Sequence, residues 1–330
     1  DQLRLFAAHA QATDESQESI GGSWAVDSPQ AAGGFSAVGY YFGKALRKKL
    51  GVPVGLIRSA VGGTVAEAWT ARDELEKNPT LKPLLDFQQQ RIEAHPKAQA
   101  AYASSETKLL QQYEAAVTKA KAEGTRLPRK PQPPMHPSED KNRPTGLYNG
   151  SIVPLQPYAI KGAIWYQGES NSSRGEQYRT LFPAMISSWR RAWGQGDFPF
   201  LFVQITPHQG MSPEVREAQR VTTETTQNTA MAVTVDVGHP TDIHPKQKQP
   251  IGERLALAAR ALAYSEDVEY SGPTYDSMSV DGSRVILHFK HLGGGLVAKD
   301  GDLKGFVIYG KDKEAEATAK IEGDTIVVSS

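Results

Sequence analysis

The sequence of 330 residues contains no cysteine. A disulfide framework, a thiolate metal site and a cysteine nucleophile are therefore excluded. Charge of one sign is also lacking, because 37 Lys and Arg balance 37 Asp and Glu, so no overall field draws the chain to nucleic acid or an anionic membrane. No run approaches the roughly 20 apolar residues of a membrane-spanning helix. These absences leave a small neutral or singly charged molecule as the expected partner.

The apolar residues that are present, 39% of the chain, are enough for a packed core. Short runs of buried-strand type alternate with amphipathic stretches along most of the sequence. The predicted strands cover residues 52–57, 160–167, 200–205 and 231–237, and the predicted helices cover 35–50, 176–193, 213–226 and 246–264. This alternation predicts an α/β fold in which a parallel sheet carries helices on both faces.

Two regions depart from the alternation. Residues 78–144 are rich in Lys, Gln, Ala and Glu and end in prolines, which predicts an inserted helical hairpin with a proline-rich return. From about residue 266, short apolar runs over 284–289, 306–309 and 325–328, separated by glycine turns, predict an antiparallel β module. We therefore expect a main domain over 1–265 and a β-rich module over 266–330. Strand-like patterns at Asp1 and at Ser330 indicate a piece of a longer chain, with the module truncated.

One loop that follows a predicted strand contains side chains suited to acid–base catalysis. Asp242 and His244 follow the strand 231–237, and Pro245 suits the first position of the next helix. An adjacent carboxylate raises the basicity of an imidazole and fixes its tautomer, so the pair suits a general base. Two alternatives stay open: His244 simply caps the helix, or His239, Asp242 and His244 bind a metal ion.

The loop after the strand 160–167 offers further polar groups. Gln167, Glu169 and Asn171 supply two amides and a carboxylate, and amide donors can stabilise the oxyanion of acyl transfer. Gly62 and Gly63 offer backbone N–H groups near a helix start, which is weaker evidence. The alternative is that both loops are ordinary polar turns.

A nucleophile is not evident in the sequence. No Gly-x-Ser-x-Gly elbow occurs, and Ser59 and Ser170 follow strands without that context. A base and oxyanion donors without a serine indicate that the nucleophile lies outside these residues.

Four ordered motifs carry a resemblance to a known family. They occupy residues 55–69, 147–150, 165–171 and 242–248. Over about residues 1–265 the chain resembles the sialate O-acetylesterase family of SGNH-type hydrolases. The resemblance implies a carboxylic ester hydrolase with a flavodoxin-like three-layer α/β/α fold and neither metal nor cofactor. It also implies removal of O-acetyl groups from sialic acids or related sugars through a serine acyl-enzyme.

The family motifs also imply roles for particular residues. His244 would be the base, Gly63 and Gln167 would supply oxyanion donors, and Asn149 would line the site. Glu169 and Asn171 would contact substrate, with Gly62 close by. The serine would lie in a Gly-Gln-Ser-Asn block before residue 1, so this chain alone is expected to be inactive.

The carboxylate expected to complete a serine–histidine–acid triad departs from the family pattern. The usual position, three residues before the histidine, holds Thr241, so Asp242, two before, would orient His244. Glu169 or Asp236 could replace it, or a serine–histidine dyad could suffice.

Three further functions stay open: an acetylxylan esterase, a sugar-binding protein without activity, and a metal-dependent hydrolase. The family's usual role predicts a secreted or periplasmic location, and the oligomeric state is left open.

Overall fold

A computed structural model describes residues 2–299, 301–311 and 313–330. Asp1, Asp300 and Asp312, which fall within the predicted domains, lie outside the described residues. The strands are β1 Leu3–Ala8, β2 Gly22–Val26, β3 Val54–Arg58, β4 Ala163–Trp165, β5 Phe200–Val203, β6 Thr229–Ala232, β7 Thr274–Asp281, β8 Arg284–Lys290, β9 Val307–Tyr309, β10 Glu314–Glu316, β11 Thr318–Glu322 and β12 Thr325–Ser329. The helices are α1 Pro29–Gly33, α2 Ala37–Leu50, α3 Arg72–Lys77, α4 Lys82–Glu123, α5 Gly175–Trp193, α6 Glu214–Thr225 and α7 Lys248–Tyr264.

Strands β1 to β6 form two groups of three. In the first group the order is β2-β1-β3, with β1 parallel to β3 and antiparallel to β2. In the second group the order is β4-β5-β6, and all three strands are parallel. Within the described residues β3 and β4 do not pair with each other, so each is an edge strand.

Helices cover both faces of the second group. Successive side chains of a strand point to opposite faces, and every residue of β5 is buried. Phe200 and Phe202 lie in one core cluster with residues of α5 and α6. Leu201 and Val203 lie in another cluster with residues of α2 and α7. The predicted α/β architecture, a parallel sheet between helices, is confirmed in this coarse form.

Close packing of α2 on α7 depends on a glycine. Gly252 has no Cβ, and a Cβ there would lie 2.8 Å from the Phe42 backbone nitrogen. Ser36 caps the start of α2 by accepting a hydrogen bond from the Gly39 N–H, and Gly51 ends the helix at φ +68°. The sequence therefore fixes both the ends of α2 and its approach to α7.

The predicted helical hairpin over residues 78–144 is wrong. The region contains one helix of 42 residues, α4, and Ala120 is its single buried residue. No turn sequence interrupts it before Gly124, which adopts φ +64°. The proline-rich return then runs back beside the helix, where Gln88 Nε2 donates to the Pro137 carbonyl at 2.9 Å.

The strands that follow α7, β7 to β12, pair in antiparallel fashion. The order is β11-β12-β8-β7, with β9 and β10 as a separate pair. Ile326 and Val328 of β12 are buried in their own cluster with Leu287 of β8. The predicted runs 284–289, 306–309 and 325–328 fall on β8, β9 and β12. That residues 266–330 form a separate module stays a prediction.

In the part of the chain that the structure describes, no helix combines the length and the apolar composition needed to cross a membrane.

Candidate functional site

The loops that follow β3 and β4 are joined by hydrogen bonds at one edge of the sheet. Gln167 Nε2 donates to the Thr64 carbonyl at 3.0 Å. Ala66 N–H donates to Asn171 Oδ1, also at 3.0 Å. Because the carboxyl ends of parallel strands meet at the same edge, two of the sequence-predicted loops meet here.

A buried polar network supports this junction. Asn171 is 1% exposed, and its Nδ2 donates to Glu67 Oε2 at 3.0 Å. Glu67 is 4% exposed and pairs with Arg174 through a 2.5 Å contact. Each buried polar group has a partner, so the network holds the loops in one arrangement. Sequence reasoning missed Glu67 and Arg174; the signal was a lone carboxylate between Ala66 and Ala68 in an otherwise apolar run.

Gln167 is fully engaged in this structure. Its Nε2 donates to Thr64 and to Asn171 Oδ1, the latter at 2.6 Å. Its Oε1 accepts from the Tyr178 hydroxyl at 3.1 Å. The side chain is therefore rigidly oriented, but both amide hydrogens already have acceptors.

Gly63 has a free backbone donor. It adopts φ +67°, a left-handed conformation that favours glycine, and it is exposed. Its N–H donates to no acceptor among the described residues. The neighbouring Gly62 carbonyl accepts from Lys141 Nζ at 2.6 Å, which fixes the loop. The arrangement leaves one N–H available to a ligand.

His244 lies in a loop, and its predicted place at a helix mouth is wrong. Helix α7 begins at Lys248, so Pro245 is not its first residue. Asp242 Oδ1 accepts from the His244 backbone N–H at 2.8 Å, whereas His244 Nδ1 lies 3.8 Å from that oxygen, beyond a hydrogen bond. The imidazole is 84% exposed. Asp242 thus orders the backbone at His244 and leaves the ring open to solvent.

Glu169 lies within electrostatic reach of His244. Burial raises the pKa of its carboxyl, and its own backbone N–H, His244 and Lys248 partly oppose that rise. Lys248 Nζ lies 5.2 Å from the centre of the Tyr166 ring, so the loop after β4 and the start of α7 come together near this carboxylate.

Asp236, a further candidate for the acid, is bound elsewhere. Arg254 donates to both of its oxygens, at 2.7 and 2.5 Å. These hydrogen bonds lower the pKa of Asp236. Its carboxylate is therefore committed to α7, and Asp242 and Glu169 are the carboxylates nearer to His244.

The structure does not assemble a metal site from His239, Asp242 and His244. His239 Nδ1 accepts from the Thr241 N–H at 3.2 Å. Over residues 2–299, 301–311 and 313–330, no three His, Asp or Glu side chains are grouped as metal ligands.

Asn149 and the two candidate serines lie in different surroundings. Asn149 Nδ2 donates to the Asp14 carbonyl at 2.7 Å, which ties the loop after β1 to the segment 148–152. Ser59 Oγ donates to the Ser151 carbonyl at 2.9 Å, and Ser170 is exposed. Among the hydrogen bonds of the described residues, none joins either serine to His244.

Among the described residues, one edge of β3 and one edge of β4 have unpaired backbone groups. Val54 N–H donates to Gln2 of the first group, and Ala163 N–H donates to Pro199 of the second. Because N–H groups alternate in direction along a strand, those of Ile57 and Ile164 point away from these partners. Neither finds an acceptor in the described part of the chain. Ile57 is also only half-buried, although central strands of α/β sheets are buried.

Comparison with known proteins places these loops in a family. Residues 143–261 match the model of the carbohydrate esterase family described as sialic acid-specific acetylesterase. Two relatives are the sialate O-acetylesterases of Mus musculus, 29% identical over 78% of this chain and 48% of that protein, and of Rattus norvegicus, 30% identical over 72% and 45%. The chain spans about half the length of these curated relatives.

A solved structure covers the whole chain. It is a carbohydrate acetylesterase from Xanthomonas citri, with a TM-score of 0.76 and 34% identity, and the match covers 100% of this chain and 65% of that one. The predicted resemblance to the sialate O-acetylesterase family is therefore confirmed. The chain is a relative of the sialate O-acetylesterases, and its residues 143–261 form part of a carbohydrate esterase domain of the sialic acid-specific acetylesterase type.

Proposed function

We propose that the chain forms most of a serine-type carbohydrate esterase that removes O-acetyl groups from sialic acid or a related sugar. One observation carries the proposal. Two loops joined through Gln167 and Asn171 present the free N–H of Gly63 and the carboxylate of Glu169 at the sheet edge, and Glu169 lies within electrostatic reach of the exposed His244. The relatives' names support deacetylation of sugars.

His244 acts as the general base. It accepts the hydroxyl proton of the serine while the serine oxygen attacks the acetyl carbonyl. The proton then passes to the departing sugar oxygen. Water, deprotonated by the same histidine, releases acetate and restores the serine. An exposed ring suits this role because it can reorient as the nucleophile and substrate arrive.

Asp242 orients His244, and Glu169 is the second candidate for the acid. In support, Asp242 already binds the His244 backbone, and a modest rotation of the ring would bring Nδ1 to the carboxylate. Glu169 has the more buried carboxyl and interacts with His244 electrostatically.

Gly63 and Gln167 stabilise the oxyanion. The Gly63 N–H is unengaged among the described groups, and a preorganised backbone donor costs no reorganisation in the transition state. Gln167 contributes by exchanging its bond to Thr64 or Asn171 for one to the oxyanion. Asn149 and Asn171 help to form the part of the site that binds the substrate.

The serine nucleophile lies outside residues 1–330, at the carboxyl end of a strand that fits between β3 and β4. The unpaired edges of these two strands support this placement, since each needs one parallel neighbour. A strand there ends between the Gly63 and Gln167 loops. The proposal includes a flavodoxin-like SGNH layering over 1–265, a separate module over 266–330, and a secreted or periplasmic location.

Acetate release tests the proposal. Three proteins are compared on O-acetylated sialic acid, acetylated xylan and p-nitrophenyl acetate: this chain, a chain extended toward its amino terminus, and the extended chain with His244→Ala. We expect activity in the extended wild type alone. Activity of the short chain would contradict the placement of the serine and direct attention to Ser59 and Ser170. Sugar binding by an extended chain that releases no acetate would instead support a binding protein.

A further inference from the structure

A cavity lies beside the loop that leads to His244. It has a volume of about 390 Å³ and lies between residues 205–213, after β5, and residues 235–240, after β6. Gln209 N–H donates to the Pro240 carbonyl at 2.9 Å and joins the two loops. The volume is within the range of small-molecule sites.

The cavity is lined by an arginine without a counter-ion. Arg216, in the first turn of α6, forms no ion pair within the described residues, and its Nε is buried without an acceptor. Burial alone lowers the pKa of its guanidinium, which means that no carboxylate compensates the charge. In contrast, Arg220, one turn further along α6, is paired with Glu217 and Glu224.

The other polar groups around the cavity also suit an anion. Thr206 is 0% exposed, and its hydroxyl has no hydrogen-bond partner among the described residues. His208 and His239 line the wall, and none of the Asp and Glu residues that the structure describes does so. The amino terminus of α6, whose dipole favours negative charge, begins at this wall.

The first turn of α6 also contains two carboxylates that oppose an anion. Glu217 is hydrogen-bonded by Arg220, and Glu214 is exposed to solvent. Neither lines the cavity. The guanidinium is therefore the nearest formal charge for a molecule inside it.

We infer that this cavity binds a carboxylate, with the Arg216 guanidinium as its counter-ion. A planar guanidinium matches the two oxygens of a carboxylate, which favours this anion over a spherical one. The carboxylate could belong to an acidic sugar or to released acetate, and in either case it would be held on the loop that continues to His244. Only the source of the carboxylate depends on the proposed function; the site itself does not.

Binding to this chain, which needs no nucleophile, provides the test. Saturation-transfer NMR and calorimetry are carried out with N-acetylneuraminate, its methyl ester and sodium acetate. We expect N-acetylneuraminate or acetate to bind and Arg216→Gln to raise Kd by about tenfold to a hundredfold, as for a lost charged hydrogen bond. The control Arg72→Gln removes the same charge from an exposed position of α3 that does not line the cavity and should leave Kd within about twofold.

The ligand comparison identifies the source. Binding of the sugar acid but not its methyl ester would assign the cavity to an acidic substrate, and binding of acetate alone would assign it to the product. Unchanged Kd in Arg216→Gln, or no binding of either carboxylate, would overturn the inference. Circular dichroism of both variants shows that they fold. Because no turnover is measured, an inactive esterase would leave this result intact.

Discussion

At the scale of single residues, the junction of the β3 and β4 loops depends on a buried charge. Glu67 accepts a hydrogen bond from Asn171 and pairs with Arg174 where the loops meet, so its removal leaves the buried Asn171 amide and the partly exposed Arg174 guanidinium without this acceptor. We expect Glu67→Ala to lower the free energy of unfolding by about 3 kcal/mol in urea titrations. Glu76→Ala breaks an exposed pair with Arg72 and should cost less than about 1 kcal/mol. Equal effects would mean that the network contributes no more than a surface pair.

Glu169 should couple stability to pH. Burial raises the pKa of its carboxyl in the folded chain above the unfolded value, so the folded state binds this proton more tightly. The resulting stability is present below the unfolded pKa and is lost as pH rises through the folded pKa. Glu169→Gln removes the charge, and we expect a higher melting temperature than wild type at pH 7–8 and no difference near pH 4. A variant that is less stable at pH 7 would contradict the burial argument.

Single residues were only partly predictable from sequence. His244 and Asp242, chosen by their spacing, stay predicted site residues, and the start of α7 was predicted wrongly because Lys246 and Gln247 continue the helical pattern without being helical. Glu67 and Arg174 are far apart in the sequence, and their pairing depends on tertiary structure. The orientation of Gln167 depends in the same way on Tyr178.

At the scale of elements, amphipathic helices were predicted well and strand ends poorly. Helices α2, α5 and α6 begin and end within a few residues of the predicted bounds because each has one apolar face. The predicted strand 160–167 is too long, since β4 spans Ala163–Trp165 and the apolar run continues into the loop. The prediction of a hairpin was wrong because α4 has almost no buried face, so its apolar pattern did not show where, or whether, the chain turns back.

The outer part of α4 should open readily. Residues 97–119 are not buried, and Pro96 removes one helical hydrogen bond. We expect amides of 97–119 to exchange with deuterium at least about tenfold faster than those of α5, whose apolar face is buried. Pro96→Ala should slow exchange near residue 96 because it restores that bond. Protection of α4 equal to that of α5 would indicate that another surface covers this helix.

At the scale of the whole molecule, the free edges of β3 and β4 predict that amide hydrogen exchange alternates between slow and fast along each strand. The N–H groups of Leu56 and Ala163 point to paired neighbours, whereas those of Ile57 and Ile164 point to the unpaired side. In this chain we expect Ile57 and Ile164 to exchange at least about tenfold faster than Leu56 and Ala163, which serve as controls within the same strands.

An extended chain should remove this alternation. If a parallel strand occupies the space between β3 and β4, the amides of Ile57 and Ile164 gain acceptors like those that Leu56 and Ala163 already have, and the exchange rates of all four should converge on that of the buried strand β5. The melting temperature should rise as well, because the new strand adds apolar contacts on both faces of the sheet. If Ile57 and Ile164 stay unprotected in an extended chain that hydrolyses acetyl esters, the serine must reach His244 by another route, and the edges of β3 and β4 would have to be covered by something else.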